Sequence, residues 1–100
     1  MKKTEKSGNG TSFHNITITT TINELTKVLG EPTDYNNSGE DKVNVEWICE
    51  NKNGQIVTIY DWKEYRSIGL DEKIIFHLGG MGDYNTLEGK RELHSLLGIY

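Results

Sequence analysis

Lys42-Val-Asn-Val-Glu-Trp-Ile-Cys-Glu50, then Asn51-Lys-Asn-Gly54, then Gln55-Ile-Val-Thr-Ile-Tyr-Asp-Trp62 is the stretch that decides the fold. Two runs rich in β-branched and aromatic residues flank Asn53-Gly54. That dipeptide is the preferred pair for a two-residue type I′ hairpin turn, whose two central residues both need positive φ. With Asn53 and Gly54 as the whole turn, Lys52 faces Gln55 and the register follows by counting. Trp47 then lies opposite Tyr60, Val45 opposite Trp62, and Cys49 opposite Thr58, all on one face. The other face carries Ile48 opposite Ile59, Glu50 opposite Val57, and Glu46 opposite Asp61.

Working outward toward the N-terminus, Glu31–Asp41 is built of turn formers and predicts an exposed loop. Before it, Thr21-Ile-Asn-Glu24 has the capping-box spacing, and Ile22, Leu25, Val28 and Leu29 recur at helical intervals. Gly30 and Pro32 end that short helix. Phe13–Thr20 alternates and is β-branched, which predicts a strand with His14, Ile16 and Ile18 on one face. Residues Met1–Thr11 hold three lysines, two glycines and no apolar residue after Met1, and predict a disordered tail.

Toward the C-terminus, Lys63–Glu72 is a polar loop and Lys73–Leu78 a short strand. Gly79–Gly82 is expected to be flexible. A second helix is expected over Thr86–Leu97, capped by Asn85 or Asp83 and stopped by Gly98. The expected fold class is α+β: a single domain over residues 12–100, in the order β-α-β-β-β-α, with a small antiparallel sheet covered by two helices. Leu93, Leu96, Leu97, Ile99 and Tyr100 form an apolar chain end, expected to pack on the sheet or on a second protomer in a homodimer or higher oligomer.

Composition bounds what such a domain does. One hundred residues with 34% hydrophobic content suffice for one core, with little left to enclose a deep cavity. Fifteen acidic residues against 11 basic ones give a net charge of −4, which argues against general nucleic-acid binding. Cys49 is the single cysteine, so no internal disulfide forms, and its place among the aromatics predicts an inert buried thiol. No apolar run approaches the roughly 18 residues of a membrane span, and no signal segment opens the chain. A soluble protein of the cytoplasm is expected.

Three features carry candidate chemistry. Glu46 and Asp61, in the counted register, are like charges directly across a strand pair, which is destabilising unless a cation, a shared proton or a ligand donor compensates. His77-Leu-Gly-Gly-Met-Gly-Asp83 runs toward a helix start, where glycine N–H groups and the helix dipole suit a phosphate. It is neither a P-loop nor a Rossmann fingerprint. Trp47, Tyr60 and Trp62 form an aromatic cluster. Such a cluster is more often core than a base-stacking platform, and Trp62, beside Lys63, Tyr65 and Arg66, is the candidate exception. His14, His77 and His94 with Cys49 have no metal-ligand spacing, so no structural metal and no cofactor are expected.

Four strings together carry a resemblance: Leu29-Gly30-Glu31-Pro32, Lys42-Val43 with Glu46-Trp47, Val57-Thr-Ile-Tyr-Asp-Trp-Lys63, and Phe76-His-Leu-Gly-Gly80. Spanning about Thr11 to Gly80, they resemble a family of small bacteriophage accessory proteins. The chain departs from that pattern at Leu29, where Phe is usual, and at Phe76, where Trp commonly precedes the His. The resemblance implies a phage protein in the host cytoplasm, similar to the anti-defence sponges (anti-Thoeris proteins) that trap a nucleotide second messenger without turnover. Within the shared motifs, Trp62, Lys63, His77, Gly79 and Gly80 have suitable chemistry. Arg91 is a further phosphate-binding candidate, and Glu46 and Asp61 are further ligand contacts. The alternatives are an acidic inhibitor docking on a host defence protein, and more remotely a metal-dependent phosphodiester-processing enzyme using Glu46 and Asp61.

Overall fold

Thr21 is extended (φ −122°, ψ 160°), and its hydroxyl accepts the Glu24 N–H at 3.0 Å, so the hydroxyl half of the capping box starts helix α1, Ile22–Leu29. Gly30, at φ 85°, closes that helix as expected. This computed structural model describes residues 1–98. Its remaining elements are β1 (Lys2–Lys3), β2 (Ser12–Thr20), β3 (Asp34–Tyr35), β4 (Val45–Glu50), β5 (Ile56–Tyr60), β6 (Ile74–Gly80) and α2 (Asp83–Leu97). The fold is α+β: one antiparallel sheet in the order β1-β4-β5-β6-β2, with β3 also pairing β4.

Both helices lie on one face of the sheet. Leu25 of α1 and Leu93 of α2 are fully buried against Ile18, Val45, Trp47, Val57, Ile59, Phe76 and Leu78, which point inward from four strands. Trp47 meets Phe76 edge-on at 6.2 Å, and its indole N–H donates to the Gly30 carbonyl at 2.9 Å. The core thus satisfies its largest side chain at the exit of α1. Gly89 of α2 lets the helix approach the sheet, since a Cβ there would sit 2.8 Å from both Val57 methyls.

The hairpin exists, but its register is one residue away from the count. Trp47 lies opposite Ile59, Cys49 opposite Val57, and Glu46 opposite Tyr60. Lys52, Asn53 and Gly54 together make the loop: Asn51 N–H donates to Gln55 O at 2.9 Å, and Gly54 N–H to Asn51 O at 2.9 Å. Only Gly54 has positive φ, 76°, which is the three-residue loop with a single left-handed glycine rather than type I′. Asn51 selects it, because its side-chain oxygen accepts from Asn53 N–H at 2.9 Å and Gln55 N–H at 3.0 Å. A one-residue slip moves every partner to the other face. Trp47 therefore shares its face with Val57 and Ile59, and Tyr60 does not.

Further expectations are corrected, and one is the Glu31–Asp41 loop, which contributes the two-residue strand β3 to the sheet. The N-terminal segment is built into the fold rather than disordered: Lys2 and Lys3 pair with Glu50 and Cys49, and Thr4 N–H donates to Ile48 O at 3.0 Å. Its anchors are ionic, with Lys6 Nζ 3.0 Å from Glu50 and the Met1 ammonium 2.7 Å from Glu92, so low apolar content is a poor guide there. Gly79 and Gly80 are ladder residues of β6 rather than a flexible turn. Helix α2 begins at Asp83, three residues earlier than expected, and ends on the left-handed Gly98. Leu93 is buried and Leu97 partly so, while Leu96 is exposed; Ile99 and Tyr100 lie outside the described residues.

Candidate functional site

The face of the sheet away from the helices carries Glu46, Tyr60 and His77. Ladder partners share a face, so Asp34, Glu46, Tyr60, His77 and Thr17 form one row across β3, β4, β5, β6 and β2. The next row is Ile48, Thr58, Gly79 and Phe13. Phe13 owes its place to a bulge. His14 and Asn15 (φ 60°) are looped out of β2, which moves Phe13 to a position opposite Gly79. His14 pins the bulge, with one ring nitrogen 3.1 Å from Gly80 O and the other 2.7 Å from Asp83. The Phe13 ring then stacks on His77 at 4.1 Å and 12°.

Trp62 follows β5 and completes the aromatic face. Its ring lies 6.2 Å from His77, inclined 29°, and 6.2 Å from Tyr60, edge-on. It remains 40% exposed, and Phe13 39%. Lys63 Nζ stands 5.5 Å and Lys42 Nζ 6.0 Å from the Trp62 ring centroid. The site is thus a row of rings with two ammonium groups at one end.

A buried polar knot holds that end in place. The fully buried Asp61 carboxylate accepts from Asn44 N–H at 2.8 Å, Val45 N–H at 2.9 Å and Asn44 Nδ2 at 3.0 Å. Asn44 in turn donates to Arg66 O at 3.0 Å and accepts from Gly39 N–H at 2.9 Å. Lys63 N–H donates to Lys42 O at 2.8 Å, joining the two lysine-bearing loops. Lys63 and Tyr65 are both left-handed, at φ 55° and 51°, a conformation that costs energy in non-glycine residues and persists only where surroundings enforce it.

Electrostatics differ along the row. Burial lowers the His77 imidazole below its ordinary value, so at neutral pH it is an uncharged ring. Burial, and then the charge of Asp34, raises the Glu46 carboxyl. The Tyr60 hydroxyl is raised by burial and then by Glu46. Beside this row a cleft of about 650 Å³ opens between the N-terminal segment and the sheet, with Glu46, Ile48 and Thr58 as its floor and Thr4, Lys6 and Gly8 in its wall. On the helix side of the sheet, burial pushes the Cys49 thiol up to about 12, as an inert cysteine requires.

Of the residues singled out in the sequence, Trp62, Lys63 and His77 come together, and Glu46 borders them next to Tyr60. Asp61 does not: it lies on the helix side as a structural anchor, so the expected Glu46–Asp61 pair is absent, and Glu46 faces Asp34 instead. Gly79 and Gly80 are flanked by strands on both sides and offer no open anion cradle. Their role is close packing: a Cβ would lie 2.5 Å from Thr58 Oγ1 at Gly79 and too close to Thr86 Oγ1 at Gly80, so a bulky residue at Gly80 would not spare the fold. Arg91 is on α2, across the sheet from the rings, with Nη1 2.7 Å from Glu88. Tyr60, expected beside both Trp47 and Trp62, meets only Trp62 of the two, and Phe13 and Lys42 join the site unannounced. Phe13 depends on a bulge that only Asn15, tolerant of left-handed backbone, hints at. Among the described residues, no group of three or more His, Cys, Asp or Glu side chains is placed to hold a metal ion. Nor is any helix there long and apolar enough to cross a membrane. Comparison with known protein families, with characterised proteins and with solved structures finds no match.

Proposed function

We propose that this chain binds a nucleotide-type second messenger on its helix-free face and sequesters it without turnover, as a phage anti-defence sponge would. The observation that carries the reading is Trp62, an exposed ring at the end of an aromatic row with two lysine ammonium groups beside it. A lysine over an exposed ring contributes about 0.5–1 kcal/mol, whereas a stacked base contributes about 1–3 kcal/mol. A base therefore displaces the ammonium from the ring favourably, and the freed Lys42 and Lys63 side chains turn to the phosphates. The neutral His77 leaves the row without a charge that would compete for those phosphates. The rest of the ligand extends past Tyr60 toward the cleft, whose volume falls within the range of small-molecule sites, about 300–1,000 Å³.

Tryptophan fluorescence tests this directly, because Trp47 is buried and quenching by a stacked base reports on Trp62. Titration with a panel of linear and cyclic nucleotides is expected to give saturable quenching by at least one of them. Chromatography of the released ligand is expected to return it unchanged. No binding across the panel would sink the proposal, and conversion of the bound nucleotide would replace sequestration with catalysis.

A further inference from the structure

The two edges of the sheet are finished in opposite ways. Along the outer edge of β4, the two-residue strands β1 and β3 pair end to end. Thr33 N–H donates to Glu46 O at 2.8 Å, the Thr33 hydroxyl accepts from Ile48 N–H at 2.9 Å, and Thr4 N–H donates to Ile48 O at 3.0 Å. That edge has no run of free backbone left to pair with another strand. The opposite edge is β2, nine residues long, which pairs β6 on one side only. Among the described residues, no hydrogen bond outside that ladder reaches the β2 backbone.

Proteins ordinarily blunt a long free edge with lysine, proline or an inward charge. β2 reads Ser-Phe-His-Asn-Ile-Thr-Ile-Thr-Thr and has no Lys, Arg, Asp, Glu or Pro. Its bulge disrupts the edge at His14 and Asn15, but Ile16–Thr20 keeps a regular register against Leu78–Ile74. We propose that this segment is a pairing edge for a second copy of the chain, with the two β2 strands antiparallel across a two-fold axis. An antiparallel edge is its own complement, since each outward N–H meets an outward C=O of the same strand rotated by the two-fold. A register centred on Ile18 sets Thr17 opposite the second copy's Thr19 on the helix-free face, and threonine pairs are favourable cross-strand neighbours. The two sheets become one, and both aromatic rows face the same side. This interface is independent of any ligand.

Light scattering and backbone hydrogen exchange on the full chain test the proposal together. The expected species is a concentration-dependent dimer in which alternate amides of Ile16–Thr20 gain protection as it forms. Thr17→Lys with Thr19→Lys sets like charges opposite each other across the axis and is expected to give a monomer with the β6 amides still protected. Thr17→Lys with Thr19→Glu sets opposite charges across the same axis and is expected to restore the dimer. A wild-type chain that stays monomeric at all concentrations overturns the proposal. So does a dimer whose formation leaves β2 exchange unchanged, or equal association of the two charged variants.

Discussion

Trp47 and Trp62 belong to one hairpin arm and the residues just after the other, yet the sheet separates them and uses them differently. Trp47 is fully buried, its indole N–H bonded to Gly30 O and its ring edge-on to Phe76. Trp62 is 40% exposed, and around its ring stand His77, Tyr60, Lys42 and Lys63. The first closes a core; the second leaves apolar ring surface in water beside two ammonium groups. A domain of this size gains stability from burying every large ring it can. The buried Asp61–Asn44 knot and the left-handed Lys63 and Tyr65 fix the backbone next to that exposed ring.

The comparison breaks first, and hardest, at Trp47. Trp47→Ala removes the largest core side chain and leaves a cavity, so unfolding by denaturant is expected to show a loss of about 3–5 kcal/mol. Asp61→Ala comes next. It strands three donors, Asn44 N–H, Val45 N–H and Asn44 Nδ2, in a fully buried site, at a cost of about 3 kcal/mol. Because the knot holds the Trp62–Arg66 loop, the same variant is expected to lose the fluorescence quenching by nucleotide even in its folded fraction. An Asp61→Ala protein that keeps both full stability and full quenching would show that the knot positions nothing.

Trp62→Ala separates the two faces more sharply. The ring is partly exposed and packs on His77 and Tyr60, so stability is expected to fall by about 1–2 kcal/mol, clearly less than at Trp47. Nucleotide affinity is expected to fall by about 1–3 kcal/mol, the contribution of one stacked base. Thermal melting and a displacement titration on the same sample read the two quantities. A large stability loss with undiminished affinity would make Trp62 a second Trp47 and end the contrast.

What was legible in the sequence follows the same division. The four longer strands β2, β4, β5 and β6, the capped α1, the Gly98 stop and the hairpin itself are set by local chemistry, and local chemistry is written in neighbouring residues. The register is not, because Asn53-Gly54 serves two loop types, and the choice rests on Asn51, whose side chain closes the loop from outside the dipeptide. The apolar pattern holds a corrective signal, since Trp47 belongs with Val57 and Ile59 on the face that α1 and α2 cover. Trp62, Lys63 and His77 were singled out by residue type, and the structure brings them together. Phe13 and Lys42 were not, because each reaches the site through tertiary geometry: a bulge in one case, a loop-to-loop hydrogen bond in the other. The N-terminal segment misled because its order comes from ion pairs and a two-residue ladder, neither of which has a periodic signature.

The smallest expected effect concerns the charged end of the open face. Glu46 and Asp34 are directly opposed carboxylates on neighbouring strands, and like charges placed so destabilise a sheet by up to about 1 kcal/mol. Burial first, and Asp34 second, raise the Glu46 carboxyl above its ordinary value. A folded-state pKa above the unfolded one means that the fold prefers the protonated acid. That preference supports stability fully below the unfolded value and is lost as pH rises through the raised folded value. Glu46→Gln keeps the shape and removes the charge, so it is expected to match the wild type in acid and to exceed it at neutral pH. Glu46 is half-exposed and screened by solvent, so the gain is expected to be only about 0.5 kcal/mol. Melting temperatures of both proteins, taken across pH 3 to 8 (roughly the span over which carboxyls and imidazoles titrate), check the sign as well as the size. The difference is expected to open as pH climbs through the raised Glu46 value and then hold constant. His77 contributes the opposite slope in both proteins, because burial lowers its pKa and its stabilisation fades as pH falls through the lowered value, so it cancels in the difference. A gap that is present in acid, or that closes with rising pH, would mean that Glu46 finds a favourable partner when ionised and that the Asp34 repulsion does not govern this end of the face.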